Sequence, residues 1–256
     1  MIKNAFIESL KIVDGRFIHP ELHWQRITDT QRVHFGNSTF LPLSSESIPP
    51  DKRLGTLKCR IIYDQEIRKI DFETYSPRRV HTLKLVDGSG IDYTFKYADR
   101  DKLIQLQQSK GTCDEILIYQ NGRITDTSYS NVVFYDGNQY ITPSTYLLNG
   151  TKRRYLLERG IIKEQDIGLG DLPRFRYLFL INAMLDLEDN IQVKIRGPFV
   201  CRSTFSTFLL KNLRISSAFF SISCCSITAR RSQYWALSIQ PVVRRRSRLW
   251  FCLPNR

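Results

Sequence analysis

Lys96, in the stretch TFKYADR, follows a short β-like run at residues 91–95 and precedes the pair Asp99–Arg100. A lysine amine becomes a nucleophile or base only when burial and neighbouring cations strip its proton at ordinary pH. Taken alone, Lys96 reads as one more solvated charge, because lysines are mostly exposed. Thirty residues on stands Asp126, in GRITD, followed by Asn131. Gly150–Thr151 then opens a segment with a helical pattern. Free N–H groups and a positive dipole end suit such a turn to an anion, although a plain N-terminal cap looks the same in sequence. A second small-residue turn, Asn182–Ala183, lies in LINAM. Two such turns and one arginine can hold a dianionic phosphate. Arg60 and Tyr63, in CRIIYD, are candidates for holding a substrate carboxylate. Guanidinium is the natural bidentate partner of that group. Strand alternation leaves open that Arg60 points outward instead.

Positioning these residues takes a folded body, and the composition provides for one. The chain has 256 residues, 42% hydrophobic and 25% charged, which is typical of a globular protein long enough to bury a core. Its formal charge of +13 would suggest nucleic acid or an anionic surface as partner. Ten of those charges, however, come from the last 56 residues, which hold nine Arg, one Lys and no Asp or Glu. The first 200 residues are only mildly basic, so nucleic acid is not the expected partner. Three readings of residues 201–256 compete: a basic arm, a membrane contact, and a terminus outside the folded core with no function. The third is preferred. The uncharged run 215–229 is shorter than the ~20 residues a spanning helix needs. The N-terminus shows no secretory signal pattern. Cys59 and Cys113 have no paired spacing, and no metal-ligand pattern occurs. A reducing cytoplasm is the expected compartment.

The body reads as α+β. Residues 5–13 alternate as a strand and end at Asp14–Gly15. HPELHWQRITDTQRVHFG reads as a helix with Pro20 in its first turn. TLKCRIIYD, KIDFETYSP and RVHTLKLVD are β-rich, which predicts one helix among several antiparallel strands in the first half. A helix is expected over 99–108. Strands follow, joined at Asn121–Gly122 and Asp136–Gly137, both strong hairpin signals. A helix is expected between about Gly150 and Gly160, then a strand near 180 and a closing strand in NIQVKI.

In this order the segments FIES, DGRFIHPELHWQRI, CRIIY, KYADR, DEILIYQNGRITDTSYSNVVF, YITPSTYLLNGTKRRYLLERGI and INAML resemble the class IV family of pyridoxal-phosphate enzymes. That family includes branched-chain and D-amino-acid aminotransferases and 4-amino-4-deoxychorismate lyases. The resemblance covers residues 5–195. It implies the fold type IV architecture: a small α+β domain at 1–90, a larger barrel-like cofactor domain at 91–200, and a tail at 201–256. It implies pyridoxal 5'-phosphate as cofactor, with Lys96 matching the lysine that forms the Schiff base. Arg26 matches an arginine at the cofactor phosphate. Asp126 matches the acid facing the pyridine nitrogen, with Asp where the family usually has Glu, and Asn131 matches the asparagine that follows it. Gly150, Thr151 and Lys152 fall on one phosphate turn, and Asn182 and Ala183 on the second. INAML and KYADR are more similar to the lyases, which make 4-aminobenzoate and pyruvate, a folate-precursor step. An aminotransferase, or a member that no longer catalyses, is the alternative. Relatives place their active sites near a dimer interface, which implies a homodimer acting on a small amine.

Overall fold

The computed structural model describes residues 5–195. The expected tail at 201–256 lies outside them.

In strand β1 (Phe6–Val13) the even positions form one buried face: Phe6, Leu10 and Ile12, with the carboxylate of Glu8 among them. β2 (Arg16–Phe17) folds back on its end. Helix α1 (Glu21–Phe35) begins after Pro20, where a missing N–H costs nothing, and ends at Gly36. Its Ile27 packs with Leu10, Ile12 and Ile61. β3 (Thr56–Tyr63) and β4 (Ile67–Thr74) complete an antiparallel sheet in the order β2-β1-β3-β4. Along β3, burial alternates strictly. Leu57, Cys59, Ile61 and Tyr63 face α1, while Lys58, Arg60 and Ile62 face the other way.

β5 (Leu83–Asp87), helix α2 (Asp101–Gln108), β6 (Glu115–Gln120) and β7 (Arg123–Ile124) make a second unit. β5 pairs with β6 in parallel, in a sheet of its own. This corrects the expectation that the β-rich runs of the first half are all antiparallel. A parallel pair needs a long crossover, and α2 sits within it. The β-like run at 91–95 is also not a strand. It is irregular, with a bend at Thr94 and Phe95 where the Asp92 side chain accepts the Thr94 N–H at 3.0 Å; the turn before it, at Ser89–Gly90, is closed by the Asp87 side chain. Only at Tyr97 does the chain meet β1, through a single bridge to Phe6. Asn121 and Gly122, both at positive φ, make the two-residue turn between β6 and β7, as the Asn-Gly signal predicts.

β8 (Asn131–Tyr135), β9 (Tyr140–Pro143), helix α3 (Thr151–Glu158), β10 (Lys163–Gln165), β11 (Tyr177–Ile181) and β12 (Gln192–Lys194) form the third unit. The sheet order is β10-β9-β8-β11-β12. Val132, Phe134, Leu178 and Leu180 from its central strands form a core with Ile124 and Leu117 of the second unit. Each such fully buried aliphatic side chain contributes about 1.5–3 kcal/mol. The architecture is mixed α+β, as expected. Among the described residues, no helix is long and apolar enough to cross a membrane.

Candidate active site

Lys96 reaches β1 through its backbone. The Lys96 carbonyl accepts the Ile7 N–H at 2.9 Å, and the Ala98 N–H donates to the Ala5 carbonyl at 2.8 Å. That pairing sets the Lys96 side chain beside Glu8, with Nζ 3.6 Å from Glu8 Oε1. Glu8 is fully buried. It accepts Arg26 Nε at 2.9 Å and is held by a second Arg26 nitrogen and by His23 Nδ1 at 3.1 Å. Burial alone would raise the Glu8 pKa. The charges of Arg26 and Lys96, with His23, outweigh it and hold the carboxyl well below the ordinary range. Burial also drives Lys96 down to about 8; the charges of Arg26 and Arg100 add to this, and Glu8 opposes it. At pH 7.5 about a quarter of such a lysine is neutral, against roughly a thousandth of a free one.

His23 and Arg26 lie one turn apart on α1, so both reach Glu8 from the same helical face. They also join α1 to the third unit. His23 Nε2 and Thr151 Oγ1 are 3.1 Å apart, and Arg26 Nη1 donates to the Asn149 carbonyl at 3.4 Å.

Asp126 follows β7 and is buried. Its Oδ1 accepts Asn131 Nδ2 at 2.8 Å, and its Oδ2 accepts the Leu147 and Leu148 N–H groups at 2.9 and 3.0 Å. Burial wins over these three bonds and lifts its pKa to about 6. A carboxylate offers about four lone-pair sites, so one is left for a donor in the cavity. Asn131 also donates to the Leu148 carbonyl at 2.8 Å. Its Oδ1 lies only 2.0 Å from where a Cβ on Gly150 would stand. Glycine is therefore required there by close approach. As cap residue it leaves the first N–H groups of α3 with no side-chain partner, free for an anion.

These elements enclose a cavity of about 230 Å³. Of the residues expected from sequence, it brings together Arg26, Arg60, Lys96, Asp126 and Asn131, with Gly150, Thr151, Asn182 and Ala183 at the two turns. The Asn182 side chain builds its own turn, accepting the Met184 and Leu185 N–H groups at 2.8 and 3.1 Å.

Two expected residues do not line the cavity. Tyr63 packs against Phe6 in the core beneath α1, because residues three apart on a strand point to opposite faces. With Arg60 on the cavity side, Tyr63 points away from it. The Lys152 side chain turns from the cavity to pair with Asp186, which also binds Lys11 at 2.7 Å. A helix sends successive side chains about 100° apart, so Thr151 and Lys152 do not share a direction. Sequence reading missed Glu8 and His23 as site residues. Both lie inside quoted segments, FIES and HPELHWQRI, and the available signal was an acid on the apolar face of β1.

A partly neutral lysine, a buried carboxylate and a helix start without a side-chain cap, around one cavity, suit amine chemistry on a phosphorylated ligand. Residues 89–187 match the model of the amino-transferase class IV family, and the chain belongs to that family of pyridoxal-phosphate-dependent enzymes. It is 35% identical over 180 residues to an uncharacterized protein of Haemophilus influenzae, covering 69% of this chain and 96% of that one. It is similar to the crystal structure of a candidate 4-amino-4-deoxychorismate lyase from Haemophilus somnus. The identity there is 32%, the TM-score 0.65, and the coverage 72% of this chain and 98% of that one. Over 58 residues it is 45% identical to a candidate aminodeoxychorismate lyase of Schizosaccharomyces pombe, 22% of this chain and 25% of that one.

Proposed function

We propose that the protein is a pyridoxal-phosphate-dependent lyase converting 4-amino-4-deoxychorismate to 4-aminobenzoate and pyruvate. The observation that carries the enzymatic reading is Lys96, lowered to about 8, facing the same cavity as Asp126. The lyase branch is supported by the names of the Haemophilus somnus and Schizosaccharomyces pombe relatives and by the INAML and KYADR segments.

The residues fit the cofactor. The spare lone pair of Asp126 suits a protonated pyridine nitrogen, and the glycine-capped start of α3 with Arg26 suits a phosphate. When bound, the cofactor supplies a sink for the electrons left on the substrate carbon. The chain does the rest. Neutral Lys96 Nζ takes the proton from the amine-bearing ring carbon, and Glu8 stabilises the resulting ammonium. Cleavage of the bond from the neighbouring ring carbon to the enolpyruvyl oxygen then completes the aromatic ring and expels enolpyruvate, which takes the proton back from the Lys96 ammonium and tautomerises to pyruvate. Asp126 as a carboxylate would keep the pyridine nitrogen protonated, and Arg26 with the first turn of α3 would hold the phosphate, so binding would become orientation. A homodimer acting on a small amine completes the proposal.

The test is full-length protein, loaded with cofactor, given 4-amino-4-deoxychorismate and no 2-oxo acid. Pyruvate and 4-aminobenzoate in equal amounts support the lyase. Amino transfer from glutamate to branched 2-oxo acids, with no pyruvate release, replaces it by an aminotransferase. Light scattering on the same sample gives the oligomeric state.

A further inference from the structure

His23 is buried on α1, and no step of the reaction uses it. Its two ring nitrogens face different partners. Nδ1 is 3.1 Å from Glu8 Oε1, and a carboxylate only accepts, so Nδ1 carries a proton. Nε2 is 3.1 Å from Thr151 Oγ1, at the start of α3. Burial lowers the His23 pKa; Glu8 opposes this, and Arg26 and Lys96 add to it. The ring is therefore neutral at pH 7, with a lone pair on Nε2. Thr151 has one hydroxyl proton, and in this arrangement it is committed to that lone pair.

That arrangement does not suit an anion. Thr151 lines the cavity beside Gly150, where the first N–H groups of α3 have no side-chain cap. With its proton given to His23, Thr151 Oγ1 has only lone pairs to offer a dianion docked there. The neighbouring charges point the same way. The titratable groups around the ring are Glu8 from β1, Arg26 from α1 and Lys96 from the segment docked on β1; α3 presents the Thr151 hydroxyl. Glu8 pairs with Arg26 and Lys96, and with Lys96 protonated these three carry one net positive charge. A dianion turns that into one net negative charge, and one proton on His23 restores neutrality. An imidazolium finds both its N–H groups already placed, Nδ1 toward Glu8 and Nε2 toward Thr151.

We propose that His23 is a positioning residue for the cofactor phosphate: as the dianion docks at the start of α3, His23 takes one proton from solvent, changes from acceptor to donor toward Thr151, and frees the Thr151 hydroxyl proton for the anion. The bonds balance. Nε2 gains a solvent proton and donates it in a hydrogen bond to Thr151 Oγ1, whose own O–H turns to the phosphate. Phosphate docking is thereby linked to the ring that shares Glu8 with Lys96. The inference deepens the cofactor reading and rests on it only for placing a phosphate at the first turn of α3.

The test is ¹⁵N imidazole NMR of the full chain at pH 7, which shows directly whether each ring nitrogen carries a proton. The chain has four histidines, and His23→Gln assigns the signal. If that variant fails to fold, His19→Gln, His34→Gln and His81→Gln, none at a buried position, assign it by elimination. Spectra are recorded alone, with sulfate (doubly charged throughout), with pyridoxal 5'-phosphate, and with pyridoxal, which reaches Lys96 without a phosphate. His23 is expected to be neutral with a proton on Nδ1 alone and with pyridoxal, and doubly protonated with sulfate and with pyridoxal 5'-phosphate. Thr151→Ser keeps this response; Thr151→Val loses it and weakens sulfate about tenfold, the worth of one charge-assisted bond. Sulfate affinity, read by competition with the cofactor's visible band, should fall by up to about tenfold from pH 6.5 to 7.5, as one linked proton requires, and by less than about twofold in His23→Gln. A His23 that stays neutral with bound sulfate overturns the proposal. So does one already doubly protonated in the free chain, one doubly protonated with pyridoxal alone, or sulfate that never displaces the cofactor. Pyruvate release from 4-amino-4-deoxychorismate with a neutral His23 leaves the lyase reading standing and ends the relay. Phosphate-linked protonation of His23 without pyruvate release does the reverse.

Discussion

Glu8→Gln removes the carboxylate that pairs with Lys96 among the described residues while keeping the shape of the side chain. At 3.6 Å and an effective dielectric of about 20, the Glu8–Lys96 attraction is about 4–5 kcal/mol. Most of Glu8's charge is already answered by Arg26, and the Lys96 side chain is 20% exposed. After that discount the substitution should lower the Lys96 pKa by about one unit or more, from about 8 toward 7. It also leaves Arg26 buried with a neutral partner, and breaking a buried pair costs about 3–5 kcal/mol. Glutamine still accepts one hydrogen bond, which favours the lower end, a melting temperature down by roughly 6–12 °C. The lysine is read directly by competitive acylation of the cofactor-free chain across pH, following the Lys96 peptide by mass spectrometry. A Lys96 pKa that is unchanged or raised in Glu8→Gln would refute the reasoning. So would a wild-type Lys96 titrating near its free value of 10.5. The sign of the linked stability follows. The unfolded chain binds more protons than the folded one between pH 8 and 10.5, so Lys96 makes the wild-type protein more stable as pH rises through that window.

Asp126 acts the opposite way at acid pH. Its folded pKa of about 6 exceeds the free value of 3.8, so its contribution to stability falls as pH rises from about 4 to 6. Urea titrations at pH 4.5 and 7 should show that component missing in Asp126→Asn, and catalysis should fall at least a hundredfold. Glu8, held low, provides stability present above its free value of 4.5 and lost as pH falls through its folded pKa, so wild type minus variant is the informative difference. Gly150→Ala places a methyl 2.0 Å from Asn131 Oδ1. It should cost about 1–3 kcal/mol in urea unfolding and weaken retention of the cofactor on dialysis.

The elements were largely legible in the linear chain. Alternation marked β1 and β3, Pro20 and Gly36 bracketed α1, and Asn121–Gly122 marked its hairpin, because these signals act over a few residues. Lys96, Asp126 and the two small-residue turns were legible by their order along the chain. What sequence could not decide is which neighbours face one another across long separations. The parallel pairing of β5 with β6 depends on a crossover, and the irregular path of 91–95 on a local bond from the Thr94 N–H to the Asp92 side chain that competes with a β-like composition. The parity of β3 sends Arg60 into the cavity and Tyr63 into the core, a distinction that composition alone leaves open. Glu8 shows the difference most clearly. In sequence it is an acid in a hydrophobic strand; only when α1 crosses β1 and the Lys96 segment docks beside Ile7 does it become the shared counter-ion of Arg26 and Lys96 and the hydrogen-bond partner of His23. Residue types determine what chemistry is available. Burial and the charges assembled around each group determine which proton it holds, and those arise only from the tertiary structure.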